Sequence, residues 1–385
     1  MSRPGWAIGA AAVLILSLAW AAAPGLARPV AIGRHVQVPH GIDPAHPWPA
    51  FQGGPARAGR TRHPAPAKEP ALAWEARVGI GATSDPTVAS DGASFVVTGA
   101  GVAGVGPDGE VRWTVRLGLA VGAPALTPED RVLVASRGGA LLHLTRDGEV
   151  ARRTSIAGGI GAPPLVLDDG SVVVVTRDAA VMRIDTEGRR LFRVGLPQRA
   201  VRAPALDARG RIVVTAGTDV RFLSSDGRVR ARAALAHPAA AGPAVAEDGT
   251  VWLLDSEGTL VALDRHARLR ARAAVGPVAA SSPLVVGSDG AVRVGTRDGD
   301  LVCVGPSGAE RWRLGSEGVF LGGLSVDPGG VTLGTTTQGE LVAVGADGTV
   351  RWKAATRPRA VGGPVVDARG TVYVGTGGGT VQAFR

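Results

Sequence analysis

The chain has 385 residues, of which 45% are hydrophobic and 19% are charged. This balance is too apolar for an intrinsically disordered chain, and the length is ample for a large buried core. Only 4% of the residues are aromatic, which argues against a nucleic-acid platform built from stacked rings. The single cysteine, Cys303, excludes an intramolecular disulfide and a cysteine-rich zinc site.

The net charge is +9, and the basic residues are almost all arginine: of 42, only Lys68 and Lys353 are lysine. Asparagine is absent. A composition rich in alanine, arginine and glycine is typical of a genome-wide bias, so the charge alone indicates no particular partner.

Residues 1–27 carry the pattern of an export signal. Arg3 precedes a stretch without charge, residues 4–27, whose apolar centre is residues 6–23. A positive start, an apolar centre and small residues at the end are typical of a cleaved secretory signal. About 18 apolar residues can also just span a bilayer, so an uncleaved anchor is the alternative. Both interpretations place the rest of the chain in the periplasm or otherwise outside the cytoplasm, and the lack of a nearby cysteine excludes a bacterial lipid anchor.

Residues 28–70 are rich in proline and contain four of the seven histidines, namely His35, His40, His46 and His63. Their irregular spacing, with only Asp43 between them as a further ligand, does not suit a metal site. The sequence therefore predicts an irregular lead-in to the domain that follows.

A repeat of about 40 residues occupies the rest of the chain. Each unit begins with a small residue and a proline, and Leu324 replaces the proline in one unit. The prolines are Pro86, Pro124, Pro163 or Pro164, Pro204, Pro243, Pro283 and Pro364. In each unit, short Val-rich runs are separated by turns with glycine, which is typical of four antiparallel strands. Eight such units predict an all-β, eight-bladed β-propeller over residues 71–385.

The last unit predicts how the ring closes. It ends at Arg385 after only three strands, and the unmatched fourth strand lies upstream at residues 71–75. We expect this N-terminal strand to complete the eighth blade, since an open seam would leave a sheet edge unpaired.

The lead-in at residues 48–59, the Gly-x-Leu-x-x-Leu run at 258–263 and the tryptophans that end several repeats resemble the pyrroloquinoline-quinone-type (quinoprotein-like) repeat propellers. These tryptophans are Trp74, Trp113, Trp312 and Trp352. The family includes the propeller lipoprotein of the outer-membrane β-barrel assembly machinery. The resemblance covers residues 48–385 and implies the propeller fold and an exported location, whereas a propeller by itself hosts unrelated functions.

For the dehydrogenases of this family, the resemblance implies a disulfide between adjacent cysteines over the quinone and Glu, Asn and Asp oxygens on calcium. One cysteine and no asparagine cannot supply that set. We therefore expect no cofactor and no metal. A quinone-dependent periplasmic oxidoreductase remains an alternative, as does a propeller that binds a small ligand or a polysaccharide.

The residues before each repeat's proline should line one mouth of the central channel. Most of them are glycine or alanine, and Asp85 and Arg202 are the charged exceptions. The connections into the fourth and eighth units carry Arg199 with Arg202, and Arg357 with Arg359. Since these units lie four blades apart, the two pairs should face each other across the axis.

We expect an exported, non-enzymatic scaffold for protein interaction or envelope assembly. Asp85, Arg199, Arg202, Arg357 and Arg359 are the candidate partner-binding residues. The expected partner is a protein of the cell envelope, with an anionic membrane surface as the alternative; nucleic acid is not expected, and the chain should be a monomer.

Overall fold

The computed structural model describes residues 46–81, 84–99, 101–199, 202–279, 284–316 and 318–385. The predicted signal or anchor and the first part of the lead-in, together residues 1–45, lie outside the described residues. So do Ser281, Ser282 and Pro283 at the start of the sixth repeat. Within the described ranges, no helix is long and apolar enough to cross a membrane.

Eight four-stranded sheets follow one another along the chain, which confirms the predicted all-β, eight-bladed propeller. Each sheet is an antiparallel meander and forms one blade. The blades are numbered 1 to 8 in chain order, and the strands of each blade are given from the innermost to the outermost. Blade 1 contains β2 (Thr87–Val88), β3 (Ser94–Thr98), β4 (Gly101–Val105) and β5 (Val111–Arg116). Blade 2 contains β6 (Ala125–Leu126), β7 (Val132–Ala135), β8 (Ala140–Leu144) and β9 (Val150–Ser155). Blade 3 contains β10 (Leu165–Val166), β11 (Val172–Thr176), β12 (Ala180–Ile184) and β13 (Arg190–Gly195). Blade 4 contains β14 (Ala205–Leu206), β15 (Ile212–Ala216), β16 (Asp219–Leu223) and β17 (Val229–Ala234).

The remaining four blades repeat this arrangement. Blade 5 contains β18 (Ala244–Val245), β19 (Val251–Leu254), β20 (Thr259–Leu263) and β21 (Leu269–Ala274). Blade 6 contains β22 (Leu284–Val286), β23 (Val292–Gly295), β24 (Leu301–Val304) and β25 (Glu310–Leu314). Blade 7 contains β26 (Phe320–Val326), β27 (Thr332–Thr336), β28 (Glu340–Val344) and β29 (Val350–Ala355). Blade 8 contains β30 (Val365–Val366), β31 (Val372–Gly375), β32 (Thr380–Phe384) and, as its outermost strand, β1 (Leu72–Arg77).

The N-terminal strand closes the ring, as predicted. β1 pairs antiparallel with β32, from Leu72 opposite Phe384 to Arg77 opposite Thr380. The Trp74 indole packs against Gly109 of blade 1 and donates a hydrogen bond to the Pro107 carbonyl at 3.2 Å. Blades 8 and 1 are therefore joined both by the chain and by a half-buried ring across the seam.

The tryptophans of the outer strands join consecutive blades in the same way. Trp113 of blade 1 donates to the Arg146 carbonyl of blade 2 at 2.6 Å, and Trp312 of blade 6 donates to the Ala346 carbonyl of blade 7 at 2.8 Å. Trp352 of blade 7 has no such turn to reach in blade 8, and it donates instead to the Pro66 carbonyl of the lead-in at 2.7 Å.

The core lies between the blades. Valine and leucine dominate the second and third strands, where both faces are buried, and β-branched residues suit such strands. Buried clusters combine side chains of neighbouring blades, for example blades 1 and 2 or blades 5 and 6. The outer strands alternate exposed and half-buried residues, as expected for an edge strand with one face on the core.

Candidate functional site

The two faces of the ring differ in what they carry. The connections from each outer strand to the next inner strand, together with the turns between the second and third strands, form what we call the connection face. The opposite face carries the turns that follow the inner strands and the turns between the third and fourth strands, and we call it the lead-in face.

The lead-in runs across the inner strands from the lead-in face. Trp48 pairs with Val88 of blade 1. From there, successive lead-in carbonyls accept hydrogen bonds from inner-strand amides of five further blades. The bonds are Leu126 to Pro49 at 2.7 Å, Leu206 to Pro55 at 2.8 Å, Val245 to Ala56 at 2.9 Å, Val286 to Ala58 at 2.8 Å and Val326 to Gly59 at 2.9 Å. Blade 8 is reached by the Thr61 hydroxyl, which donates to the Val366 carbonyl at 3.3 Å. The lead-in thus occupies the axis on this side.

Close packing explains why glycine stands in this segment. A Cβ on Gly59, whose φ is +64°, would lie 2.2 Å from Cγ1 of Val285. Only glycine tolerates both the positive φ and the contact. The lead-in therefore fits against the blades through its backbone.

Arg57 lies at the centre of the lead-in and is 1% exposed. Its guanidinium donates to three carbonyls: Pro204 at 3.1 Å, Phe51 at 2.6 Å and Pro164 at 2.7 Å. Burial lowers its pKa to about 9. Arg57 therefore ties the lead-in to blades 3 and 4 through hydrogen bonds to carbonyls.

The lead-in meets blades 1 and 2 at a charged cleft. The buried His46 accepts a hydrogen bond from the Ser90 amide through Nδ1 at 2.9 Å, and its Nε2 lies 3.7 Å from Asp130. Arg146 bridges Asp91 at 2.7 Å and Asp130 at 3.0 Å. These bonds fasten the start of the described lead-in to the ring.

On the connection face, the channel mouth is lined by backbone in close contact. A Cβ on Gly363 of blade 8 would lie 2.9 Å from Cα of Gly323 in blade 7, and one on Gly242 of blade 5 would lie 2.7 Å from the Ala203 carbonyl oxygen. The small residues predicted at this mouth are therefore required for packing between inner strands.

Asp85 is half-buried at this mouth. Its Oδ1 accepts a hydrogen bond from the Gly363 amide at 2.6 Å. Burial raises the pKa of this carboxyl, and the bond from Gly363 partly opposes that effect. Asp85 thus links blades 1 and 8.

The candidate arginines lie on the connections into blades 4 and 8, but their environments differ. Arg202 is half-buried, donates through Nε to the Ala239 carbonyl at 3.3 Å, and has a pKa lowered by burial. Arg199, Arg357 and Arg359 are exposed. The structure brings neither Asp85 and Arg202 nor the two arginine pairs into contact among the described residues. Their role in partner binding stays a prediction.

Sequence reasoning missed two features. The path of the lead-in was not predicted, although Trp48 and the glycines of residues 53–59 belong to the segment that carries the resemblance. Two large apolar side chains on the connection face, Ile80 and Leu119, were also not singled out.

The residues at the axis do not fit a quinone with calcium. Cys303 is the single cysteine of the chain, so no adjacent cysteine pair can form; it lies buried in β24, the third strand of blade 6, and burial raises the pKa of its thiol. Asp85 supplies the only carboxylate at the described part of the mouth, and its Oδ1 is taken by Gly363. No group of three or more metal-ligating side chains occurs in the described ranges.

The fold is similar to that of several solved structures. The crystal structure of BamB from Moraxella catarrhalis has a TM-score of 0.66 at 17% identity, and the match covers 82% of this chain and 99% of that one. The quinohemoprotein alcohol dehydrogenase from Comamonas testosteroni has a TM-score of 0.73 at 16% identity, covering 88% of this chain and 80% of that one. For a europium-containing methanol dehydrogenase, the TM-score is 0.72 at 13% identity, with 86% and 89% covered. These likenesses show the fold alone.

None of the curated proteins matches the chain significantly. The model of the family described as outer membrane protein assembly factor BamB matches residues 98–239 and 297–385, which is more than half of the chain. The repeats, their docking tryptophans and this match agree, and the chain belongs to the family of outer membrane protein assembly factor BamB.

Proposed function

We propose that this chain is an exported, non-enzymatic scaffold of the cell envelope that holds a protein partner on its connection face. The observation that carries the proposal is the lead-in at the axis. Residues 48–61 contact the inner strands of most blades, so the channel is filled from one side by the protein's own chain. A site for chemistry along the axis would have to share that space.

The connection face offers what a partner requires. Each of its loops is anchored at both ends in strands of the ring, which limits the entropy lost on binding. Arg199, Arg357 and Arg359 are exposed there, and among the described residues none of them forms an ion pair. Exposed arginines without an ion pair favour a partner with carboxylates.

A quinone-dependent oxidoreductase is the second candidate, and the likeness to two dehydrogenase structures favours it. The donor set argues against it, because Cys303 stands alone and Asp85 is engaged by a backbone amide. The scaffold is therefore the better supported function.

The test compares two triple variants in capture from envelope extracts, with the retained protein identified by mass spectrometry. Arg199→Glu/Arg357→Glu/Arg359→Glu changes the connection face. Its matched control, with the same charge change on outer strands at exposed arginines without an ion pair, is Arg190→Glu/Arg232→Glu/Arg272→Glu. Arg202 is left unchanged because its bond to Ala239 gives it a structural role.

The first variant should hold the partner at least about tenfold less tightly, since three exposed pairs at about 0.5 kcal/mol each correspond to roughly that factor. The control should bind like the parent, and binding should weaken with salt. Equal loss in both variants would show an effect of net charge. A chain that captures nothing and binds quinone saturably would contradict the scaffold.

A further inference from the structure

Ile80 and Leu119 stand out among the exposed apolar residues. Their side chains are 83% and 64% exposed. In the described chain, all other large exposed hydrophobics lie at the start of an outer strand, where the repeat places them blade after blade. Ile80 and Leu119 instead lie on the connection face, each three residues after an outer strand ends, on the adjacent connections into blades 1 and 2.

Among the described residues, the equivalent positions of the other connections carry Gly158, Gln198, His237, Pro277 and Pro358, so none of them has a branched aliphatic side chain. The apolar pair is therefore a local feature of blades 8 to 2 and does not follow from the repeat.

The described turns beside the two side chains contain many glycines. Between the second and third strands these are Gly377 to Gly379 in blade 8, Gly99 in blade 1, and Gly138 with Gly139 in blade 2. Blades 3, 5 and 6 carry charged side chains there, such as Asp178, Glu257 and Asp298. Ile80 and Leu119 thus stand beside turns that are rich in glycine, and Arg137 is the charged side chain in the described part of these turns.

The connection face of blades 8, 1 and 2 is also basic. Arg77, Arg116 and Arg137 are exposed, and none of them pairs with a carboxylate in the described chain. The Arg137 amide donates to the Leu119 carbonyl at 2.8 Å, so the backbones that carry this cation and this apolar side chain lie next to each other. Among the described residues of these three blades, two carboxylates lie near the connection face. They are Glu75, which accepts a hydrogen bond from Gln382, and Asp85 at the axis.

We propose that the surface formed by Ile80, Leu119, Arg77, Arg116 and Arg137, here called the blade-1 patch, binds an acidic amphipathic segment of the partner protein. Aliphatic side chains of that segment lie against Ile80 and Leu119, and its carboxylates lie against the three arginines. The inference rests on the proposed function and names the chemistry of the partner.

An anionic membrane fits the same face less well. Glu257 and Asp298 are exposed on the connection face at blades 5 and 6. A flat bilayer covering the face would meet these carboxylates as well as the arginines, and like charges repel. A peptide segment can cover the blade-1 patch alone.

The test measures fluorescence polarisation of a short labelled peptide composed of leucine and glutamate, with a serine-and-glutamate peptide as its apolar control. The full chain should bind the first peptide saturably and the second far more weakly. Ile80→Ser/Leu119→Ser should lose about tenfold or more in affinity, because truncated apolar anchors carry much of such binding. Val150→Ser/Leu191→Ser, which removes exposed apolar side chains of outer strands, 54% and 52% exposed, should bind like the parent.

A charge pair completes the design. Arg77→Glu/Arg116→Glu should weaken peptide binding, whereas Arg190→Glu/Arg232→Glu should not. All four double variants change exposed positions, so melting temperatures close to the parent's will show that each is folded.

The proposal is overturned if the parent does not bind the leucine–glutamate peptide, or if Ile80→Ser/Leu119→Ser binds it unchanged. It is also overturned if the chain does not bind the peptide but binds phosphatidylglycerol vesicles, and if Ile80→Ser/Leu119→Ser abolishes that vesicle binding. A partner that Ile80→Ser/Leu119→Ser still captures as the parent does would overturn binding at the blade-1 patch but would leave the scaffold function standing.

Discussion

Trp48→Ala tests whether the lead-in is part of the folded ring. The Trp48 side chain is 1% exposed and packs with Val88, Val365, Tyr373 and Ala383, so it joins blades 1 and 8 at the axis. Truncating a tryptophan at such a site costs about 3–5 kcal/mol. The described chain from residue 46 onward has about 340 residues, for which the unfolding entropy is roughly 0.7 kcal/mol/K, so the melting temperature should fall by about 4–7 °C.

Calorimetry measures the melting temperature, and amide hydrogen exchange gives a local check. The amides of Leu126, Val245 and Val286 donate to lead-in carbonyls, so they should exchange faster in Trp48→Ala than in the parent. Leu191→Ala, at a side chain 52% exposed, is the control and should change neither. A shift below about 1 °C with unchanged exchange would refute the view that the lead-in is integral to the ring.

Three further predictions concern closure, cofactor and pH. Deleting residues 71–76 should cause aggregation or melting well below the parent, because β32 loses its partner, whereas deleting 28–45 should be mild; equal melting temperatures would place the seam elsewhere. Titration with pyrroloquinoline quinone and calcium should show no saturable binding in the micromolar range, and a stoichiometric complex that oxidises alcohols would contradict this. Burial and Arg152 lower the pKa of His143 from 6.5 to about 4, so the unfolded chain takes up a proton first as the pH falls. Between pH 6.5 and 4 the parent should lose up to about 3 kcal/mol more stability than His143→Leu, and parallel pH profiles would contradict that burial.

The blades could be predicted because each is built from neighbouring residues. Four strands joined by short glycine turns close within about 40 residues, so the repeat in the sequence is also the structural unit. The closing strand was predictable for a related reason: a unit that ends after β32 leaves one strand missing, and residues 71–75 match it. Both inferences use local pattern and the need to pair every strand.

The lead-in could not be predicted because its contacts have no period. Gly59 binds Val326 and Thr61 binds Val366, across hundreds of residues and mostly through backbone atoms, which leave no side-chain pattern to read. Arg57 illustrates the same difficulty, since its partners are carbonyls that every residue type offers. Arg202 was placed correctly in its connection, but its partial burial depends on how the next connection, at Ala239, folds over it.

The connection face is the central claim, and site-specific photocrosslinking in the intact envelope tests it most directly. Benzoylphenylalanine would replace Arg199 or Arg359 on the connection face and, in separate variants, the exposed Glu187 or Asp347 in turns of the lead-in face. The predicted result is an adduct with the same envelope protein from both connection-face positions and from neither lead-in-face position. Adducts from Glu187 or Asp347 alone would contradict the proposed binding face.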